Sequence, residues 1–140
     1  MLLGQYDYKV DSKGRLPLPP KFRPEFKEGL VLTRGLDNCI VVYRKSDFEK
    51  LADNFANKAI TKSKERRYKR FVFGSAFDIE MDGQGRIALP PSLRNYAKIA
   101  GSVIIVGDND LVELWSPEMW AEEQKESEEQ AWQINESFEE

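Results

Sequence analysis

The segment that decides the fold is Asp11-Ser-Lys-Gly-Arg-Leu-Pro-Leu-Pro-Pro20, which returns as Asp82-Gly-Gln-Gly-Arg-Ile-Ala-Leu-Pro-Pro91, an offset of 71 residues (82 minus 11). When both copies are extended by three residues, 7 of the 13 positions are identical. The identical pairs are Asp11/Asp82, Gly14/Gly85, Arg15/Arg86, Leu18/Leu89, Pro19/Pro90, Pro20/Pro91 and Arg23/Arg94. Self-similarity of this extent at one fixed offset is the signature of an internal repeat. The sequence therefore predicts two copies of one small structural unit.

The residues around each copy of the motif predict short strands. Apolar and polar residues alternate at positions 6–10 and again at positions 77–81, which is typical of half-buried strands. Further along, each copy has two apolar runs joined by a segment that contains Gly and Asn. The runs are residues 30–33 and 39–43 in the first copy and 103–106 and 111–115 in the second. Because Gly and Asn tolerate the positive φ of tight turns, each copy should end in a hairpin.

Four further segments predict helices. The proline pairs 19–20 and 90–91 suit the first turn of a short helix, where a missing N–H costs nothing. Between the copies, Ser46-Asp-Phe-Glu49 has the pattern of a capping box. Helical spacing continues through Phe48, Leu51, Ala52, Phe55 and Ala59. After the second copy, Ser116-Pro117 predicts an N-cap followed by a proline in the first turn.

Neither copy is large enough to be comfortably stable alone, because a unit of about 45 to 50 residues buries too little surface. We therefore expect the two copies to interleave their strands, with remaining edges or apolar helix faces covered by neighbouring chains. The predicted divisions are a first repeat at residues 1–47, a helical connector at 48–74, a second repeat at 75–118 and an acidic C-terminal helix or tail at 119–140.

The charge of the chain is divided unequally along its length. The formal net charge is −3, yet residues 1–70 carry 17 Lys or Arg against 9 Asp or Glu, and residues 71–140 carry 4 against 15. The last 25 residues hold 9 Glu and one Lys. An average acidic isoelectric point therefore hides a basic core and an acidic tail, and a basic core favours nucleic acid as a partner.

Several classes of protein are disfavoured. No apolar run approaches the roughly 20 residues of a membrane span, and the N-terminus lacks the features of a signal peptide, so we expect a cytoplasmic protein. Cys39 is the single cysteine, which excludes an intrachain disulfide and a zinc cluster. The chain has no His and no phosphate-binding or nucleophile-elbow motif. We therefore predict no enzyme, no catalytic residues, no metal, no cofactor and no small-molecule substrate.

The repeated turn is the strongest candidate for function. Each copy presents an Arg preceded by Gly, with an Asp four residues before the Arg. One such motif could be a plain β-turn in which Asp accepts local N–H groups or pairs with the Arg. Its duplication favours a functional role, since Arg is suited to bidentate contact with guanine edges or phosphates. The Asp at its side could orient the guanidinium.

Taken together, these features resemble the MraZ family. The resemblance rests on the two Asp-x-x-x-Arg motifs in a duplicated unit, Glu65-Arg-Arg67 in the helical insert, and Leu111-Val-Glu-Leu-Trp115, and it covers about residues 1–120. It implies an α+β, mainly β, fold: a duplicated SpoVT-AbrB-like swapped-hairpin, pseudo-twofold β-barrel with a helical insert and a C-terminal helix. It further implies a nucleoid-associated transcriptional regulator that forms ring-shaped homo-oligomers on double-stranded DNA. These bind short direct repeats upstream of the division and cell-wall gene cluster that contains their own gene.

The resemblance places the DNA contacts on the two motifs. The candidate DNA-binding residues are Asp11, Lys13, Gly14, Arg15, Asp82, Gly85 and Arg86. Candidate phosphate contacts are Lys9, Lys21, Arg23 and Arg94. Lys9, Lys13 and Lys21 align with Glu80, Gln84 and Ser92. We therefore expect the first turn to supply most of the phosphate attraction, while both arginines orient the complex or read bases.

Three other segments have more than one interpretation. The basic run at residues 62–70 could lie along DNA, but a solvated face that also makes salt bridges between subunits is the commoner structure. Cys39 is expected to be a small core residue rather than a catalytic thiol. The acidic tail could dock on a neighbouring chain through Trp120, Trp132, Ile134 and Phe138, could compete with DNA for the basic face, or could be disordered at its end.

The main alternative function is a protein-interaction or scaffold module without specific DNA binding, since a fold does not fix a function. Such a module would present an exposed apolar patch or an open strand edge. The twin arginine turns and the basic first half favour the DNA-binding hypothesis.

Overall fold

The computed structural model describes residues 1–56 and 62–139. The strands are β1 (Leu2–Lys9), β2 (Arg15–Pro17), β3 (Leu30–Arg34), β4 (Ile40–Arg44), β5 (Phe77–Ile79), β6 (Arg86–Ala88), β7 (Ser102–Asn109) and β8 (Leu111–Trp115). The helices are α1 (Lys45–Ala56), α2 (Ser63–Phe73), α3 (Pro91–Ala97) and α4 (Pro117–Glu139), and a 3-10 helix spans Arg23–Phe26. The fold is therefore α+β, as predicted, but the expectation that it is mainly β was wrong, because the four helices contain more of the described residues than the eight strands do.

The two repeats exchange their first strands. The six-stranded antiparallel sheet has the order β1-β7-β8-β4-β3-β5, so that β1 of the first repeat pairs with β7 of the second. Likewise β5 of the second repeat pairs with β3 of the first. The last strands of the two repeats, β4 and β8, pair in the middle of the sheet. The strand order is consequently symmetric about its centre, and the interleaving that we expected of two small units is present.

A separate two-stranded ladder joins the two motifs. β2 pairs with β6 in antiparallel register, with Leu16 opposite Ile87 at its centre. Both of these side chains are fully buried and belong to the main hydrophobic core. That core also takes in one face of the large sheet, including Ile40, Val42 and Leu114. The apolar face of the ladder therefore packs in the same hydrophobic core as one face of the large sheet.

The opposite face of the sheet is covered by helices. Ser116 starts α4 as predicted, because its Oγ accepts the N–H of Met119 at 3.2 Å, and Trp120 packs on Trp115 at 5.5 Å between ring centroids. At the other end of this face, α2 buries Val72, and the Thr33 hydroxyl donates to the Val72 carbonyl at 2.5 Å.

Helices α1 and α2 are joined by aromatic side chains. Phe48 packs edge-on against Phe73, and Phe55 contacts both Phe73 and Tyr68, with ring centroids 5.3 to 5.5 Å apart. Tyr43 of β4 adds to this cluster through Phe48. The helical spacing that predicted α1 is confirmed at Phe48, Leu51, Ala52 and Phe55, while Ala59 lies outside the described residues.

Three local expectations are corrected. Across the described residues the large sheet is open, with β1 and β5 at its edges, so a closed barrel is not found. The capping box was wrong, because α1 starts at Lys45 and places Ser46 inside its first turn. The proline-started helix forms as predicted in the second repeat, at Pro91. In the first repeat it is a shorter 3-10 helix that begins later, at Arg23, where Pro24 removes an N–H.

Candidate nucleic-acid interface

The first candidate turn is held by one carboxylate, that of Asp11. Its Oδ1 accepts the backbone N–H groups of Lys13 and Arg15, both at 2.9 Å, and its Oδ2 accepts Nε–H of Arg15 at 2.7 Å. The backbone closes the turn, since the N–H of Asp11 donates to the carbonyl of Arg15 at 2.9 Å and that of Gly14 to the carbonyl of Asp11 at 3.0 Å. Gly14 has φ +79°, which favours glycine at this position.

The second turn repeats the first in every one of these contacts. Asp82 Oδ1 accepts the N–H groups of Gln84 and Arg86 at 2.9 Å, and Oδ2 accepts Nε–H of Arg86 at 2.7 Å. Gly85 has φ +76°. The predicted role of Asp in orienting the guanidinium is therefore present in both copies.

The β2–β6 ladder brings the two arginines onto one face. Arg15 lies opposite Ala88 and Arg86 opposite Pro17, so the arginines are diagonal neighbours that point away from the buried pair Leu16 and Ile87. Nη1 of Arg86 lies 3.9 Å from Oδ2 of Asp11, which is an ion pair between the turns. Two motifs that are 71 residues apart in sequence (82 minus 11) thus form one continuous polar surface.

Each turn is braced by an arginine of the other repeat. Nε of Arg23 donates to the carbonyl of Leu18 at 2.9 Å, and its side chain lies over Gly85, where a Cβ would be 2.6 Å from Cδ of Arg23. Arg94 donates to the carbonyl of Leu89 at 3.1 Å and lies over Gly14, with 3.3 Å from that Cβ position to its Cζ. Backbone bonds follow the same exchange, because the N–H of Leu18 donates to Gly85 and that of Leu89 donates to Gly14.

The hydrogen bonds of the turns also favour ionised carboxylates. The pKa of Asp11 falls from its ordinary 3.8 to about 2, chiefly because its carboxylate accepts the backbone N–H of Arg15, with the Arg15 side chain and the N–H of Lys13 contributing. The pKa of Asp82 is lowered by the same contacts from Arg86 and Gln84. Each Arg is held through Nε beside this negative charge, which fixes its direction, while the Asp of its own turn leaves its terminal nitrogens unused.

The family model for the MraZ protein, described as antitoxin-like, matches the chain twice, at residues 1–71 and 72–137. The chain belongs to the MraZ family. Two relatives from strains of Dehalococcoides mccartyi, both named transcriptional regulator MraZ, are 45% and 44% identical over 100% and 99% of this chain and 99% of their own length. A relative of the same name from Caldanaerobacter subterraneus subsp. tengcongensis is 44% identical over 89% of this chain and 87% of its own.

Membership in the MraZ family confirms two predictions. The family resemblance drawn from the paired motifs is correct, and the chain falls among transcriptional regulators rather than enzymes. Among the described residues, no helix is long and apolar enough to cross a membrane.

The other candidate residues of this MraZ chain surround the turns. Lys13 is exposed at the tip of the first turn, and Gln84 is exposed at the tip of the second. Lys9 and Lys21 are exposed, at the end of β1 and after Pro20. Arg23 and Arg94 are half-buried, since each uses its Nε to hold a carbonyl. The structure thus gives these two a bracing position, and a phosphate contact through their terminal nitrogens stays a prediction.

Sequence reasoning missed the contacts between the repeats. Neither the ion pair between Arg86 and Asp11 nor the packing of Arg23 over Gly85 was anticipated. The available signal was the equal spacing of Arg23 and Arg94 from their motifs, which indicates a role shared by both copies.

The residues that follow the basic run pack within the chain, and Cys39 lies in its core. Phe71 packs against Tyr96 and under the Arg34 guanidinium, 4.1 Å from its ring centroid, and Val72 is buried. Cys39 is buried, and this burial raises the pKa of its thiol to about 12, so it is a core residue rather than a nucleophile. The tail is helical as far as Glu139.

Proposed function

We propose that this protein is a sequence-specific DNA-binding transcriptional regulator that reads DNA through the paired turns at residues 11–15 and 82–86. The observation that carries the proposal is the shared outward face of Arg15 and Arg86, each held by an Asp of its own turn. Two oriented guanidinium groups side by side match the bidentate acceptors of guanine edges and phosphates. Pre-orientation by Asp reduces the side-chain entropy lost on binding.

The two turns contribute differently in this proposal. Exposed Lys9, Lys13 and Lys21 give the first turn extra positive charge, and their counterparts in the second repeat are Glu80, Gln84 and Ser92. Phosphate attraction therefore comes mostly from the first turn, and both arginines contribute to register or base readout.

A single chain offers few contacts to DNA, so we further propose that the protein acts as a homo-oligomer. Several copies of the paired turns on one ring-like assembly would engage short direct repeats together, which raises the overall affinity without new contacts. The family resemblance suggests that these repeats lie upstream of its own gene, in the division and cell-wall cluster, and that the protein is cytoplasmic and nucleoid-associated. The exchanged first strands and the two-stranded ladder support a swapped-hairpin unit as the scaffold.

The test is fluorescence-anisotropy binding to a labelled duplex from the region upstream of the protein's own gene, measured across a salt series. Wild type is compared with Arg15→Ala, Arg86→Ala and the matched control Lys50→Ala, which removes an exposed cation from α1. Loss of specific binding in both turn variants, with the control unchanged, supports the proposal. Equal affinity for the specific and the scrambled duplex would mean that the protein binds DNA only through a non-specific basic surface. If a folded oligomer does not bind DNA at all, the protein-interaction module is favoured.

The asymmetry has its own test in the same assay. Lys13→Gln should flatten the salt dependence of binding and Gln84→Lys should steepen it, because each changes the number of neutralised phosphates. If neither substitution changes the slope, the proposed division between the turns is wrong.

A further inference from the structure

The far part of α4 carries three large apolar side chains that are exposed to solvent. Trp132, Ile134 and Phe138 are 78%, 47% and 82% exposed. The helix is attached near its start, where Trp120 packs on Trp115 and its indole N–H donates to the Gln5 side chain at 3.3 Å. A helix with large exposed apolar side chains gains most of its stability by packing them against something else.

This part of α4 is also acidic. Ala131, Ile134 and Phe138 recur at the spacing of one helix face, and Trp132 lies beside them within reach of Glu128 and Glu136, four residues away on either side. Glu128, Glu129 and Glu136 are exposed. A surface that fits this segment must therefore combine apolar contact with positive charge.

The pair of helices α1 and α2 offers that combination. None of the residues of α1 is buried: Phe48 and Phe55 pack with Phe73 and Tyr68 in an aromatic cluster whose members are half-buried or exposed. Exposed Lys64, Arg67 and Arg70 lie on α2 at intervals of three residues and so share a face. None of these three cations has an ion pair to another residue in the described part of the chain.

We propose that the far part of α4 (residues 128–138) of one copy docks on the α1–α2 pair of a second copy. Its acidic residues face Lys64, Arg67 and Arg70, and its apolar side chains cover the aromatic cluster. The proposal rests on the self-association included in the proposed function and identifies the surfaces that produce it. A second copy is the occupant because each chain carries both complementary surfaces, opposite in charge and alike in apolar character.

The two surfaces differ from one another, so the contact is heterologous. In each copy, α4 binds one neighbour and the α1–α2 pair binds the α4 of another neighbour. Such head-to-tail contacts generate rings when the rotation between successive copies closes the assembly. The same contact also occupies the basic face of α2, leaving the paired turns at residues 11–15 and 82–86 as the cationic surface for DNA.

Charge reversal in the full-length chain tests the polar part of the contact. Arg67→Glu with Arg70→Glu, and separately Glu128→Lys with Glu129→Lys, should each reduce the mass measured by sedimentation velocity toward the 16.2 kDa monomer. The variant that carries all four substitutions should recover the wild-type mass, because the charges are exchanged rather than lost. Lys27→Glu with Lys98→Glu, at two exposed cations outside α1, α2 and α4, is the matched control and should keep the wild-type mass.

The apolar part is tested by Trp132→Ser with Phe138→Ser, which should also dissociate the assembly while leaving the circular-dichroism spectrum of the folded chain in place. Unchanged mass in the reversal and serine variants, or a wild type that is monomeric, overturns the inference. So does a variant Arg67→Glu with Arg70→Glu that keeps its mass but loses DNA affinity, since α2 would then be a DNA contact. Because mass and DNA binding are measured separately, an assembled protein with no specific DNA binding would refute the proposed function and leave this inference standing.

Discussion

Asp11 interacts with the arginine of the other repeat as well as with its own. Its Oδ2 accepts Nε–H of Arg15 at 2.7 Å and lies 3.9 Å from Nη1 of Arg86. Arg15 makes no corresponding ion pair with Asp82, although both residues are described by the structure. The two turns are therefore linked through one carboxylate, and the pseudo-symmetry of the fold is broken at the place where we expect DNA to bind.

This link predicts unequal effects of removing the two carboxylates. Asp11→Asn should reduce the ratio of affinities for the specific and scrambled duplexes more than Asp82→Asn does, because it weakens the hold on Arg15 and also removes the second of the two carboxylates near Arg86. The ratio, measured by anisotropy at matched salt, is the right quantity since each substitution removes one negative charge and strengthens binding to any DNA. Equal ratios in the two variants would show that the contact between Asp11 and Arg86 does not orient Arg86.

The bracing arginines predict unequal effects of alanine at the two turn glycines. Gly14 and Gly85 both have positive φ, so either substitution should cost about 1–2 kcal/mol of unfolding free energy through backbone strain. Gly85→Ala should cost roughly 1 kcal/mol more, because its Cβ displaces Arg23 from the carbonyl of Leu18. Urea unfolding measures both. In a chain that already carries Arg23→Ala, Gly85→Ala should lower the free energy of unfolding by less than it does in the wild type, because the clash is gone. An equal loss in the two backgrounds would contradict the steric explanation.

The Arg34 guanidinium predicts the contribution of α2 to stability. It lies 4.1 Å from the ring centroid of Phe71 and 5.5 Å from that of Tyr96, and Nη2 donates to the Phe71 carbonyl at 3.3 Å. Arg34→Lys keeps the charge but loses the planar stacking, and it should lower the free energy of unfolding by about 1 kcal/mol. Arg70→Lys, a substitution at an exposed position of α2, is the control. Its free energy of unfolding in the same urea experiment should stay within about 0.5 kcal/mol of the wild-type value.

The lowered pKa of Asp11 predicts a specific acid response. A carboxyl group whose folded pKa is about 2, against an ordinary 3.8, contributes stability that is complete above pH 3.8 and disappears as the pH falls through about 2. Carbon-13 NMR of the Asp11 side chain should therefore show its protonation near pH 2 in the folded protein. Asp11→Asn should weaken the pH dependence of stability between these values. A midpoint near 3.8 would mean that the turn hydrogen bonds are not formed in solution.

Much of this architecture could be predicted because the sequence contains two copies of the same unit. The duplication identified both turns, and the alternation around Tyr6 and Ile79 identified strands that the structure contains. The direction of each Arg toward its own Asp also followed from the spacing of four residues across a tight turn. Such features depend on local geometry, which the order of residues determines closely.

The features that escaped prediction depend on tertiary register. The contact between Arg86 and Asp11 exists because β2 and β6 pair with Leu16 opposite Ile87, a register that no local pattern specifies. The bracing of Gly85 by Arg23 likewise requires the two repeats to cross. The capping box at Ser46 failed for a local reason instead: the Arg44 side chain donates to Asp47 at 2.6 Å, and the helix already begins at Lys45.

The exchange of first strands has a consequence for how the protein is made. β1 has its partner in β7, with Leu2 opposite Asn109, so its pairing waits while about 100 further residues are synthesised. At about 5–20 residues per second, this delay lasts roughly 5 to 20 seconds. The first repeat therefore cannot complete its fold before the second is synthesised, and β1 stays without its partner strand until β7 is available. High contact order of this kind slows folding, so the steps that follow release from the ribosome should set the rate at which active regulator accumulates.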